Sequence, residues 1–296
     1  MNMKKTVFIL LALLFCRQAG VLAKNLQPSS REYKILLKAE RFVSAEEGCE
    51  LFWQLVEKVS TDFGLKTKAY RKEKPDREIC FFDTAENDLY RQGFILRLRA
   101  DEITRKSENE MLPGLSEAEL TLKFRAPELE SVQNALIEPA SSLNAEYSCE
   151  EDLVVKGGAA VIIFSASSKI PGLKRVPAAV EDLFQFFPGM ARLGLSAQSK
   201  LAMVNNVCIV EKRIQRGAIY FGDKKTKTIF SIWYEKGEKK PFVAEFSFKV
   251  DLDSKNRARR IELLEKINSF FVELARRGKF FVNTEKTKTA SVYELK

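Results

Sequence analysis

Arg97 and Arg99 stand two residues apart in Phe94-Ile95-Leu96-Arg97-Leu98-Arg99, with Leu96 and Leu98 in the alternate positions. The same alternation recurs in Leu120-Thr121-Leu122-Lys123-Phe124-Arg125. Successive side chains of an extended strand point to opposite faces, so each stretch carries one polar, cationic row and one apolar row. Lys34 follows Glu32 in a similar row, Arg213 lies between Glu211 and Gln215, and Lys249 lies between Ser247 and Asp251. Guanidinium forks match phosphate oxygens two at a time, and lysines add point charge. Lys34, Arg97, Arg99, Lys123, Arg125, Arg213 and Lys249 therefore form a candidate set for gripping a phosphate-rich anion. Glu32, Glu245 and Asp251 fall in the same rows and supply fewer carboxylates than there are cations.

Other chemistries are excluded by what the chain lacks. It has no histidine, which removes imidazole bases, the usual hydrolase triads and histidine-ligated zinc. Cys49, Cys80, Cys149 and Cys208 are scattered, without the close pairing of metal or dithiol motifs, and their spacing assigns no disulfide.

Residues 32–38, 77–82, 94–99, 119–125, 207–215, 218–221, 228–234 and 242–251 read as strands. Little helix intervenes, which favours antiparallel pairing. A capping box at Ser44 to Glu47 opens a helix with a stripe through Leu51, Phe52, Leu55, Val56, Val59 and Phe63. A short helix spans about 178–187, and a long one spans about 256–277 with Ile261, Leu264, Ile267, Phe271 and Leu274 on one side. The fold class is α+β. Parity alone is compatible with a sheet that turns its charges to water. The helices need a partner for their stripes, however, which favours a closed barrel with the apolar face clad outside and the charged face lining a lumen. Stretches 104–116 and 157–176 read as loop-rich insertions, and Glu150-Glu151-Asp152 is a dense carboxylate run suited to a cation, with a solvated loop or strand end the favoured reading.

The amino-terminal residues predict a secretory signal over 1–23: Lys4 and Lys5, an apolar run from Thr6 to Phe15, and small residues near Ala23. The rest, 24–296, reads as a single domain, exported to a bacterial periplasm and without a membrane anchor once the signal is removed. Losing Lys4, Lys5 and Arg17 with no acidic residue lowers the formal charge of +9 by three. This modest excess favours anionic partners. Nucleic acid is not expected, because aromatic platforms interleaved with the basic residues are missing.

Phe81-Phe82-Asp83-Thr84, Leu89-Tyr90-Arg91-Gln92-Gly93, Leu96-Arg97-Leu98-Arg99 and Leu120-Thr121-Leu122-Lys123 follow in an order that resembles CYTH-domain proteins, the triphosphate tunnel metalloenzymes. The late strand around Glu245 and the terminal Lys286-Thr287-Lys288 are compatible with it. The resemblance implies an eight-stranded antiparallel tunnel that holds a triphosphate by inward basic residues, with Arg97, Arg99 and Lys123 on phosphate. It also implies magnesium or manganese on inward glutamates, here Glu32 and Glu245. The family's first strand reads Glu-x-Glu-x-Lys, whereas this chain has Glu32-Tyr33-Lys34-Ile35-Leu36, and Ser247 stands where a second late carboxylate is common. Two readings stay open: a tunnel that binds polyphosphate or another phosphorylated anion and hydrolyses a triphosphate, and a non-catalytic binding or scaffold protein on the same fold.

Overall fold

The computed structural model describes residues 27–101, 103–107, 110–113, 118–173, 176–252, 257–283 and 286–295. The expected signal segment lies outside them. The strands are β1 (Ser30–Leu37), β2 (Lys66–Asp83), β3 (Phe94–Ala100), β4 (Ile103–Ser107), β5 (Glu110–Pro113), β6 (Glu119–Ala126), β7 (Glu146–Lys156), β8 (Ala159–Pro171), β9 (Ala202–Phe221), β10 (Lys224–Glu235) and β11 (Pro241–Asp251). The longer helices are α1 (Ala45–Asp62), α2 (Val180–Phe186) and α3 (Arg257–Arg277), and a short helix, α4 (Lys288–Tyr293), follows near the carboxyl end.

Nine strands hydrogen-bond in a closed ring in the order β1-β11-β10-β9-β2-β3-β6-β8-β7, while β4 and β5 pair separately. The ring closes through β7 and β1, which run parallel from Ser30 opposite Glu150 to Lys34 opposite Val154. The other pairs of the ring are antiparallel. The expectation of eight antiparallel strands is thus corrected to nine with one parallel seam. Three changes account for it. Residues 207–215 and 218–221 are one strand, β9, whose pairing with β2 and β10 shifts register near Arg216 and Gly217. The stretch 157–176 is not loop-rich, because β8 fills most of it. Gly157 and Gly158 make the β7–β8 turn with φ of 57° and 83°, and Ser165, Ser167 and Ser168 blur the alternation that would have marked the strand. Glu150 to Asp152 likewise sit inside β7 rather than in a loop.

The helices clad the outer face. Ser44 Oγ accepts from the Glu47 N–H at 3.3 Å and satisfies one of the orphan donors of α1. Phe52, Trp53, Val56 and Val59 of α1, with Ile267, Phe270, Phe271 and Leu274 of α3, pack on Tyr33 and Ile35 of β1, Phe230 of β10 and Phe246 and Phe248 of β11. Tyr33 and Phe248 stack at 4.7 Å, and Phe52 meets Phe246 at 5.2 Å. Leu51 and Ile261, read as parts of the stripes, are exposed instead. A second outer cluster joins Leu96, Leu98, Leu120 and Leu122 to Val180 and Leu183 of α2. Among the described residues no helix is long and apolar enough to cross a membrane.

Cladding meets sheet closely at Gly217 of β9, where an added Cβ would strike the Trp53 ring and the Lys68 carbonyl. Neither can withdraw, because Trp53 is fully buried. Gly217→Ala is expected to destabilise the fold by about 1–3 kcal/mol through overpacking, read as a lower urea midpoint at unchanged slope.

Candidate anion site in the lumen

The rows opposite the helix-clad faces point into the ring, and contacts between strands that are not neighbours demonstrate it. Lys123 of β6 reaches across β8 to Asp152 of β7, with Nζ 3.4 Å from Oδ2. Lys34 of β1 holds the other oxygen of Asp152 at 2.9 Å and Glu32 at 2.9 Å. Arg125 Nε lies 3.6 Å from Asp152 Oδ2. Asp152 is buried. Burial alone would raise its pKa, but Lys123, Lys34 and Arg125 outweigh that and hold it well below the carboxylate range. Burial would likewise lower Lys34, yet Asp152 and Glu32 prevail and keep it an ammonium beyond the usual range. Lys123 fares worse. Burial, with Arg125 and Lys34 beside it, outweighs Asp152 and drops it to about 7.

A second group surrounds Glu211 of β9. Arg77 Nε is 2.5 Å from one oxygen, Trp233 Nε1 donates to the other at 2.8 Å, and Lys288 of α4 lies 3.8 Å away. Burial pushes the Glu211 carboxyl up, but Lys288, Arg77 and Arg99 bring it to about 2. Lys288 also holds Glu245 at 2.7 Å. At this end of the ring α4 inserts Val292 among Ile79, Phe81, Ile95, Ile209, Trp233 and Val243, so the rim is filled by an apolar plug.

Between these groups lie Arg97 and Arg99. Arg99 has only a 3.6 Å approach to Glu119, and among the described residues no carboxylate pairs with Arg97. The Nε atoms of Arg97, Arg99, Arg125 and Arg213 are enclosed without a hydrogen-bond partner. Burial, Arg99 and Arg77 push Arg97 well below the ordinary guanidinium value, and burial with Arg77 brings Arg99 to about 10. A guanidinium stays protonated in a protein, so this cost is an unmet demand for negative charge.

Lys34, Arg97, Arg99, Lys123, Arg125 and Arg213 thus share the lumen. Lys249 lies farther toward the surface, half exposed and paired with Glu150 at 2.5 Å. Glu32 and Glu245 are not brought together. Glu32 faces Lys249 and Glu245 faces Leu36 in the β1–β11 ladder, four residues or about 13 Å apart along the strand, and Glu245 is taken by Lys288. The carboxylates that do converge are Glu32, Glu150 and Asp152, whose oxygens lie within 4.8 Å of one another. These three could hold a metal ion, for which the Lys34 ammonium, now bridging Glu32 and Asp152, would have to give way. Asp152, Glu211 and Lys288, noted in the sequence but outside the expected anion and metal set, join the site together with Arg77, which carried no expected role. The parity of β7 would have exposed Asp152, since Glu151 turns outward to Arg31 at 2.5 Å while Leu153 joins the outer core.

Comparison with known proteins adds little to this geometry. No family profile and no curated protein matches the chain. Among solved structures, a proposed adenylyl cyclase from Hippeastrum with a dominant triphosphatase activity is 13% identical, with 88% of this chain and 93% of that chain covered, at a TM-score of 0.38. A proposed adenylate cyclase from Bacillus halodurans is 11% identical, covering 90% and 100%, at 0.37. A protein from Pyrococcus horikoshii OT3 is 14% identical, covering 83% and 89%, at 0.31. Scores this low carry no argument, and the functional reading rests on the lumen.

Two outcomes follow from the geometry. Arg97→Met removes the enclosed, partnerless Nε and is expected to stabilise the ligand-free protein by about 1 kcal/mol or more, read as a higher urea midpoint, while weakening anion binding. Lys34→Glu replaces the bridging ammonium with a fourth inward carboxylate and is expected to strengthen magnesium or manganese binding over that of the unaltered protein, measured by calorimetry.

Proposed function

We propose that this chain is a divergent triphosphate-tunnel protein, exported by its first 23 residues, that binds a polyphosphate or another phosphorylated anion in its lumen without a bound metal. The observation that carries this reading is the pair Arg97 and Arg99, enclosed in the ring with unused guanidinium hydrogens. Phosphate oxygens would accept from those groups and supply the missing charge. Lys34, fixed by Asp152 and Glu32, provides the fixed positive charge that a divalent ion would otherwise bring. Lys123 and Arg125 extend the cationic wall toward β8. The lumen offers no imidazole base, and the carboxylates nearest the cations are already engaged by lysines, so the reading is of a binder rather than a metal-dependent hydrolase. A scaffold whose internal charges only neutralise one another is the rival, and the Asp152 and Glu211 networks favour it to the extent that they are self-contained.

Calorimetry on residues 24–296 with tripolyphosphate separates these, with magnesium, with manganese and with chelator, while released phosphate is assayed. Binding that persists in chelator and weakens about tenfold or more in Arg97→Ala or Arg99→Ala is the expected result, each charge-assisted contact being worth roughly 1.5–3 kcal/mol. Phosphate release that requires metal would instead identify a hydrolase. No heat under any condition would leave the scaffold.

The depressed pKa of Lys123 sets the pH dependence. Its value near 7 in the ligand-free fold lies below its ordinary 10.5, so the folded state binds fewer protons and this group's contribution to stability rises from about pH 7 to about 10.5. An anion in the lumen favours the ammonium, so binding takes up a proton. Affinity is expected to fall above pH 7 by up to about tenfold per pH unit. Lys123→Arg, which does not titrate there, is expected to flatten that slope and so distinguish it from titration of the ligand.

A further inference from the structure

We infer that Cys80 and Cys208 are a site of disulfide formation, and that the bond clamps the seat of α4. The two residues are directly opposite in the β2–β9 ladder, and their Sγ atoms are 3.0 Å apart. Directly opposite residues of antiparallel strands have the Cα separation that a disulfide spans. No other pairing competes among the described cysteines: Cys49 is buried in the cluster under α1 and α3, and Cys149 faces Ala166 of β8 from β7, which β3, β6 and β8 separate from β2. Cys208 is partly exposed at the edge of its cluster and is the sulfur that an oxidant can reach; Cys80 is fully buried behind it.

The place of the pair gives the bond a consequence. Beyond Cys80–Cys208 the ladder jumps, so that Phe82 next faces Met203, and residues 204–207 bulge out of β9. Asn205 and Asn206 in this bulge hold φ of 50° and 58°, a left-handed backbone that an unsupported asparagine keeps at some cost. Asn205 Nδ2 donates to the Val292 carbonyl at 2.8 Å, and Val204 packs with Val292 in the apolar plug. Tyr293 adds a hydrogen bond to Asp83 at 3.0 Å on the next part of β2. A covalent link at the base of the bulge therefore anchors the loop on which α4 rests.

The chemistry is ordinary thiol–disulfide exchange with a small disulfide such as glutathione disulfide. The Cys208 thiolate attacks one glutathione sulfur, the glutathione bond breaks, and the departing thiolate takes up a proton. Cys80, as thiolate, then attacks the Cys208 sulfur of the mixed disulfide and expels the second glutathione, which is protonated in turn. Two cysteine thiols are oxidised and one glutathione disulfide is reduced to two thiols.

The test treats residues 24–296 with glutathione disulfide, blocks remaining thiols, and digests without reduction. The expected product is one cross-linked peptide pair containing Cys80 and Cys208, lighter than the sum of its parts by two hydrogen atoms. Two of the four described cysteines lose their alkylation while Cys49 and Cys149 keep theirs under denaturing conditions. Hydrogen exchange across 288–293 is expected to slow severalfold in the oxidised form. Cys208→Ser is expected to abolish both effects, and Cys149→Ser to leave them intact. A native protein in which Cys208 stays glutathionylated or free, or a cross-link to Cys49 or Cys149, overturns the assignment. A bond that forms without slowing exchange at 288–293 overturns the clamp.

Discussion

Asp152 is the carboxylate on which Lys34, Lys123 and Arg125 converge, and the closure of the ring around those cations depends on it. Charges inside a ring of strands lose much of their hydration and repel one another, so they persist only with counter-charge at hydrogen-bond range. The parallel seam between β7 and β1 supplies it, because the register sets Asp152 beside Glu32. A shift of one residue along that seam would turn Asp152 outward and leave Lys34 and Lys123 without their principal anion. The seam that completes the backbone hydrogen bonding is thus also the one that makes the basic lumen tolerable.

The outer face imposes the complementary constraint. Phe230, Phe246 and Phe248 are fully or almost fully buried only because α1 and α3 lie over them. With one face of β1, β10 and β11 committed to that aromatic layer, alternation sends Lys34, Ser231, Glu245, Ser247 and their neighbours inward. Helical cladding and a charged interior are therefore one structural decision, made residue by residue through the period of the strands.

Much of this is legible in the residues and some is not. Arg97 and Arg99 interleaved with Leu96 and Leu98 announce a basic face, and the stripes of α1 and α3 announce what covers its reverse. Helix bounds are also readable, since Ser44 caps α1 and Pro188-Gly189 follows α2. Asp152 is harder to read, because Glu151 interrupts the row of Tyr147, Cys149, Leu153 and Val155 that marks the opposite face of β7. β8 was hidden because glycines and serines dilute its alternation. Glu32 and Glu245 look alike in sequence, yet only the ladder register reveals that they sit about four residues apart along the lumen. Register depends on contacts between distant segments, which no local pattern encodes.

The lumen is not uniformly basic in its unmet demands, and this decides where a ligand gains most. Around Asp152 each cation already has an anion, although Arg125 Nε keeps no hydrogen-bond partner, and around Glu211 both oxygens are occupied, by Arg77 and by Trp233. An anion arriving at either place must compete with bonds already made. Arg97 and Arg99 lie between the two networks with enclosed nitrogens still unused, so contact there adds hydrogen bonds without breaking any. The apolar plug around Val292 bars the rim nearest Glu211 and Trp233. A phosphorylated chain would therefore meet its best-matched partners at the guanidinium pair, with Lys123, the cation whose proton is least secure, gaining most from its arrival.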